Sequence, residues 1–192
     1  MTQSKPMIAA KSRHKKPDMA PVNRGGTFVR IDTKAGRLSV VGLPDDSKAF
    51  VKSIRLNVDL FGMRAGWIDF RQGGKIVGED REKPPEGAGS RDGPSWGLVV
   101  DIASPYPTTL DGHAIDGISE HALRVTSSLA LEAFNSLWDA ASDAAEEAGE
   151  GDPVVVVEVA SWTKINASSG PLYRPEFAVV GFVDSLDTAL ED

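Results

Sequence analysis

Ser127–Val159, SSLALEAFNSLWDAASDAAEEAGEGDPVVVVEV, decides the fold class of this chain. Leu131, Phe134, Trp138, Ala141 and Ala145 recur at helical spacing and form one apolar stripe. Ser127 or Ser128 can cap that helix, and Gly149, Gly151 and Pro153 stop it. Val154–Val159 is then short, β-branched and bounded by turn residues, which predicts a buried strand. Helix stripe and valine run belong to different periodicities, so the chain commits to both kinds of element within about thirty residues.

Downstream, the strand extends toward Ile165, turns at Ser168-Ser169-Gly170-Pro171 and returns as Phe177–Val183. Upstream the material is β-like. Thr27–Asp32 and Leu38–Leu43 are separated by Gly36, and Pro44-Asp45-Asp46-Ser47 is a turn. Phe50–Phe61 alternates, with Phe50, Lys52, Ile54, Leu56, Val58 and Leu60 on one face, and predicts a half-buried strand. Gly66–Arg71 and Lys75–Val77 flank Gln72-Gly73-Gly74 as a hairpin. Residues 79–95 are a long Pro- and Gly-rich surface loop, Trp96–Ile102 is an apolar run, and Pro107 to Gly117 is again loop-like. Several strands, one main helix and a terminal hairpin predict a β-rich α+β fold: a small OB-like barrel or a curved antiparallel sheet.

Charge is polarised along the chain. Residues 1–30 hold seven Lys/Arg against the single acid Asp18, whereas residues 128–192 hold only Lys164 and Arg174 against 13 acids. The expected organisation is a flexible basic arm at 1–26, one β-rich domain at 27–183 and an acidic tail at 184–192. Over 192 residues the formal net charge is −7, which argues against the uniformly basic surface of most duplex-DNA binders but leaves room for a local basic groove. There is no cysteine, so disulfides and cysteine-ligated zinc are excluded. The apolar run Met7–Ala10 is too short for a signal-peptide core, and no stretch reaches the roughly 20 apolar residues of a membrane span. A soluble protein of the cytoplasm is the expectation.

Strand alternation places Trp67 beside Asp69 and Arg71, and Trp162 beside Glu158 and Lys164, while Phe28 pairs with Arg30. Flat rings accept any base and cations track phosphates, so this combination suits single-stranded nucleic acid. Half-polar sheet faces also hide aromatics beneath loops or a helix, and for each ring that packing role stands beside the binding role. The candidate nucleic-acid contacts are Phe28, Arg30, Trp67, Arg71, Lys75, Trp162, Lys164, Tyr173 and Arg174.

Lys11–Lys16 suits either a polyanion-binding arm or a solubilising tail. Asp111, His113, Asp116, Glu120 and His121 are metal-capable, but their spacing matches neither HExxH nor an EF-hand loop. No nucleophile elbow, P-loop or dinucleotide fingerprint occurs. The expectation is a non-enzymatic protein with no cofactor and no metal. The rival readings are an acidic protein-interaction module and a metal-dependent nuclease built on Asp111, His113 and Asp116.

Gly66-Trp67 with Phe70, the Gly-Gly-Lys turn and Val77 forms one distinctive stretch. Pro153–Val155 through Trp162 and Lys164, then Gly170, Tyr173, Pro175, Phe177 and Gly181-Phe182, forms a second. Together they resemble a loose group of proteins encoded by phages and prophages, and the overall layout resembles OB-fold-type phage single-stranded-DNA-binding proteins. Phe182 stands where that group ends in Trp, and Trp162 where Tyr is more usual. The resemblance implies a role in phage replication or host takeover inside a bacterium, with single-strand DNA binding and an acidic tail that recruits replication or host proteins. It also implies a small β-barrel, with self-association into a homo-oligomer as a further possibility.

Overall fold

The computed structural model describes residues 28–43, 48–51, 53–110, 113–115 and 117–190, so the expected basic arm lies outside the described residues. The strands are β1 (Phe28–Asp32), β2 (Arg37–Val41), β3 (Lys48–Val51), β4 (Arg55–Val58), β5 (Arg64–Asp69), β6 (Lys75–Gly78), β7 (Ser95–Ser104), β8 (Thr108–Leu110), β9 (His113–Ile115), β10 (Ile118–Val125), β11 (Val154–Ala167) and β12 (Gly170–Val183). Among the described residues there is one α-helix, α1 (Ser128–Ala148).

All pairings are antiparallel. β1-β2-β3 form a small sheet, β8-β9 a two-stranded ribbon, and the large sheet runs β12-β11-β4-β7-β5-β6 with β10 added to β7. β12 and β6 end that order without pairing to each other, so the large sheet stays open. The fold is a β-rich α+β arrangement of antiparallel sheets; of the two expected forms, the closed OB-like barrel is the one it does not take.

β7 organises the large sheet. One edge pairs with β10 along Leu98–Ser104. The other edge is shared: Ser95–Val99 pair with β5, and Ile102–Ala103 pair with β4. The chain between β4 and β5 leaves the edge at Asp59–Met63, where Gly62 N–H donates to the Asp59 carboxylate.

The small sheet and the helix cover one face of the large sheet. Val29, Leu38 and Ala49 from the first meet Leu56, Leu98, Val100, Leu123 and Val157 from the large sheet and Phe134 and Leu137 from α1 in one buried core. The void at their junction is only about 10 Å³ and wholly apolar in its lining. Helix, terminal hairpin and valine strand follow the sequence pattern. Phe134, Ala141 and Ala145 are buried, and Trp138 sits at the margin, edge-on to Phe61 with centroids 5.1 Å apart.

Phe50–Phe61 is not one strand. It divides between β3 in the small sheet and β4 in the large one, which leaves Phe50 exposed while Ala49 is buried. Pro107 to Gly117 is not all loop either, since β8 and β9 lie there, and β10 follows directly after it. Glycine is required at Gly36, where φ is +63° and a Cβ would sit 2.8 Å from the Tyr173 ring.

The stretch expected as an acidic tail lies against the back of the large sheet as far as Leu190. Asn57 is fully buried and points away from the core face of β4. Its amide donates to Leu186 O (2.9 Å) and Thr188 O (2.7 Å), and its Oδ1 accepts from Tyr106 Oη (3.0 Å). Tyr106 Oη in turn accepts from Leu190 N–H at 3.1 Å. Every polar atom of the Asn57 side chain thus has a partner, as burial demands. No helix among the described residues is long and apolar enough to cross a membrane.

Candidate nucleic-acid interface

The candidate residues fall on three elements. Phe28 and Arg30 lie on β1; Trp67, Arg71 and Lys75 on the β5–β6 hairpin; Trp162, Lys164, Tyr173 and Arg174 on the β11–β12 hairpin. β4 and β5 lie end to end along one edge of β7, so the β11–β12 hairpin, beside β4, and the β5–β6 hairpin, beside β5, lie toward opposite ends of that edge. Trp67 and Trp162 therefore cannot sandwich one stretch of nucleic acid.

On the β11–β12 hairpin the rings and charges serve the fold. Trp162 is half-buried and packs against the core. Tyr173 N–H donates to Thr33 O at 2.7 Å, and its ring lies over Gly36. Arg174 donates through Nε and Nη2 to Glu176 (3.0 and 2.9 Å) and lies 3.8 Å from Glu132 of α1. Arg55 pairs with Glu158, so the acid beside Trp162 is already neutralised. Lys164, opposite Tyr173, remains exposed. On β1, Arg30 is exposed opposite Ser39.

The β5–β6 end differs. Trp67 and Trp96 are direct cross-strand partners, half-buried, with ring centroids 5.6 Å apart and planes at 77°. Such an edge-to-face pair is held by the ring quadrupoles as well as by burial. Trp67 Nε1 donates to Asp80 O at 3.0 Å, which ties the 79–95 loop to the pair, and the Arg81 guanidinium stands 5.9 Å from the Trp96 ring.

Asp69 shapes the tip of this hairpin. It is buried, accepts from Arg71 N, Nε and Nη2 and from Gln72 Nε2, and so caps the single 3-10 turn Phe70–Gln72. The Arg71 hydrogen bonds hold its carboxyl at about 2, well below the ordinary 3.8, although burial alone would raise it. Because β5 ends at Asp69, the turn swings Phe70 outward, and its ring is 55% exposed. Arg71 does not continue the strand beside Trp67, but its side chain is still 58% exposed while paired. Lys75 is exposed opposite Asp69.

Trp96, Phe70 and Arg81 thus join the site, and none was a sequence candidate. Trp96 carried a signal, since it opens an apolar run as an indole followed by Gly97. Glu79, Asp80, Glu82, Glu86 and Asp92 of the adjoining loop outnumber Arg81, Lys83 and Arg91. The surroundings are thus aromatic with few free cations.

Of the metal-capable residues, Asp111 and Asp116 lie outside the described residues. His121 Nε2 accepts from Val29 N–H at 3.2 Å, which ties β1 to β10. Among the described residues no three His, Asp or Glu side chains are grouped to hold a metal. No protein-family model, curated protein or solved structure matches this chain.

Proposed function

We propose that the chain is a non-enzymatic binder of single-stranded nucleic acid, DNA in the first place, acting at the β5–β6 end of the large sheet. The observation that carries this reading is the Trp67–Trp96 pair on one hairpin end with the outward ring of Phe70. An edge-to-face pair leaves ring surface open to a third flat partner, and an exposed phenyl gives another. Arg81, Arg71 and Lys75 supply the nearby positive charge.

With so few free cations, stacking rather than phosphate contact supplies most of the affinity, and the salt dependence is shallow. A binder of this kind would work in the cytoplasm, on strands exposed during replication, as the phage resemblance implies.

Phe70→Ala is the informative test, because an exposed ring can be removed without disturbing the core. Tryptophan emission should quench on adding oligo-dT to the parent protein. The variant should bind about tenfold more weakly, since one stacked base contributes about 1–3 kcal/mol. Unchanged emission at low salt, or equal affinity for parent and variant, would refute the proposal.

A further inference from the structure

The back of the large sheet, facing away from the core, carries a pair of guanidinium groups outside the stacking site. Arg64 on β5 and Arg124 on β10 are both Cα partners of Val99 on β7, so the three form one row across three strands. Residues directly opposite in antiparallel strands point to the same face. The row alternates with Leu98 and Val100, which belong to the core, and therefore projects from the far side.

Arg124 is fixed in place. Its Nε donates to Gly74 O at 2.7 Å and its Nη1 to Ala122 O at 3.0 Å. Gly74 has φ +75°, and a Cβ there would collide with the Arg124 guanidinium, so the hairpin turn is shaped around this side chain. Of the five N–H donors a guanidinium carries, these two bonds leave three. Arg64 is exposed and has no hydrogen bond or ion pair among the described residues. Partial burial and then the neighbouring Arg64 push Arg124 below its ordinary value, while Asp101, on the same face of β7, opposes that shift. Two guanidinium groups in one row, with the Asp101 carboxylate on the same face of the strand between them, leave a local positive excess.

The geometry points to an oxyanion site: Arg64 and Arg124 together receive a phosphate group, either free or as one phosphodiester of a nucleic-acid strand. A planar guanidinium pair suits the tetrahedral oxygens of phosphate better than two ammonium groups, because each fork offers paired donors. The site lies on the face opposite the Trp67–Trp96 row and does not depend on stacking there.

Thermal melts in sodium phosphate and in sodium chloride at matched ionic strength, together with oligo-dT titrations at several salt concentrations, test this. Arg64→Gln removes the exposed partner, and Lys34→Gln, on the β1–β2 turn, removes an equal charge elsewhere. If the ligand is free phosphate, the midpoint of the parent and of Lys34→Gln rises by several degrees with phosphate, and the rise is lost in Arg64→Gln. If it is a phosphodiester, phosphate has no effect, but Arg64→Gln alone lowers the salt slope of oligo-dT binding by about 0.7. The site is overturned if Arg64→Gln matches the parent in both assays, or if Lys34→Gln changes as much. Unchanged emission of the parent with oligo-dT, or equal oligo-dT affinity of the parent and Phe70→Ala, together with a retained phosphate response would sink the stacking proposal and leave this one standing.

Discussion

Replacing Asn57 by alanine should release the C-terminal segment without collapsing the core. Three hydrogen bonds go with the side chain: two from its amide to Leu186 O and Thr188 O, and one accepted from Tyr106. Each is worth about 1 kcal/mol net, and a buried group left without a partner costs about 1–3 kcal/mol. Thr188 is exposed, so its carbonyl regains water; Leu186 is buried, and its carbonyl must find water or move. The expected loss is about 2–3 kcal/mol. In urea the midpoint should fall with the slope unchanged, since the surface exposed on unfolding is nearly the same. Amide hydrogen exchange should localise the effect to residues 185–190, above all at Leu190, whose N–H donates to Tyr106 Oη. Tyr106→Phe should cost about 1 kcal/mol alone and less than that on top of Asn57→Ala, because the two side chains share one bond. A loss below about 0.5 kcal/mol, or a larger loss with unchanged exchange at 185–190, would refute the reasoning.

Two further outcomes follow from the hairpin and the core. Asp69 has a depressed folded value, about 2 against 3.8, so its contribution to stability is complete above about pH 4 and fades as the pH falls through about 2. Asp69→Asn should flatten the acid limb of a stability-versus-pH curve in that window, and an unaltered limb would contradict the assignment. Gly36→Ala combines a left-handed backbone with a close approach to the Tyr173 ring and should cost about 1–3 kcal/mol by urea denaturation. Adding Tyr173→Ala should recover the part due to the clash and leave the backbone strain.

The segments legible in the sequence are those whose partners are close in the chain. The α1 stripe, the valine strand with its return, and the β5–β6 hairpin with its Gly73-Gly74 turn could all be read from local periodicity. β10 was missed because a register shift between Ile118 and His121 breaks its alternation. Phe50–Phe61 misled because β3 and β4 share one apparent period while serving different sheets. The site was only half visible. Trp67 was a candidate, but its pairing with Trp96 spans 29 positions and depends on which strand lies next to β5. The engagement of Arg71 by Asp69, and of Arg174 by Glu132 and Glu176, likewise depends on side-chain directions that a face assignment does not supply. The C-terminal segment gave little warning, because Leu186 and Leu190 stand isolated among the acids Asp184, Asp187, Glu191 and Asp192.

The divided edge of β7 bears on the order in which this chain assembles. β5 and β7 are separated only by β6 and the 79–95 loop, and β10 follows β7 closely, so this half of the sheet forms from contacts of modest sequence separation. β4 must wait for β11, about a hundred residues further on, before its outer edge is filled. Closing so wide a loop is slow, because its entropy is spent before the new contacts repay it. During synthesis the outer edge of β4 is therefore bare until the valine strand has left the ribosome, and this is the stage at which the nascent chain is most open to pairing with a neighbour.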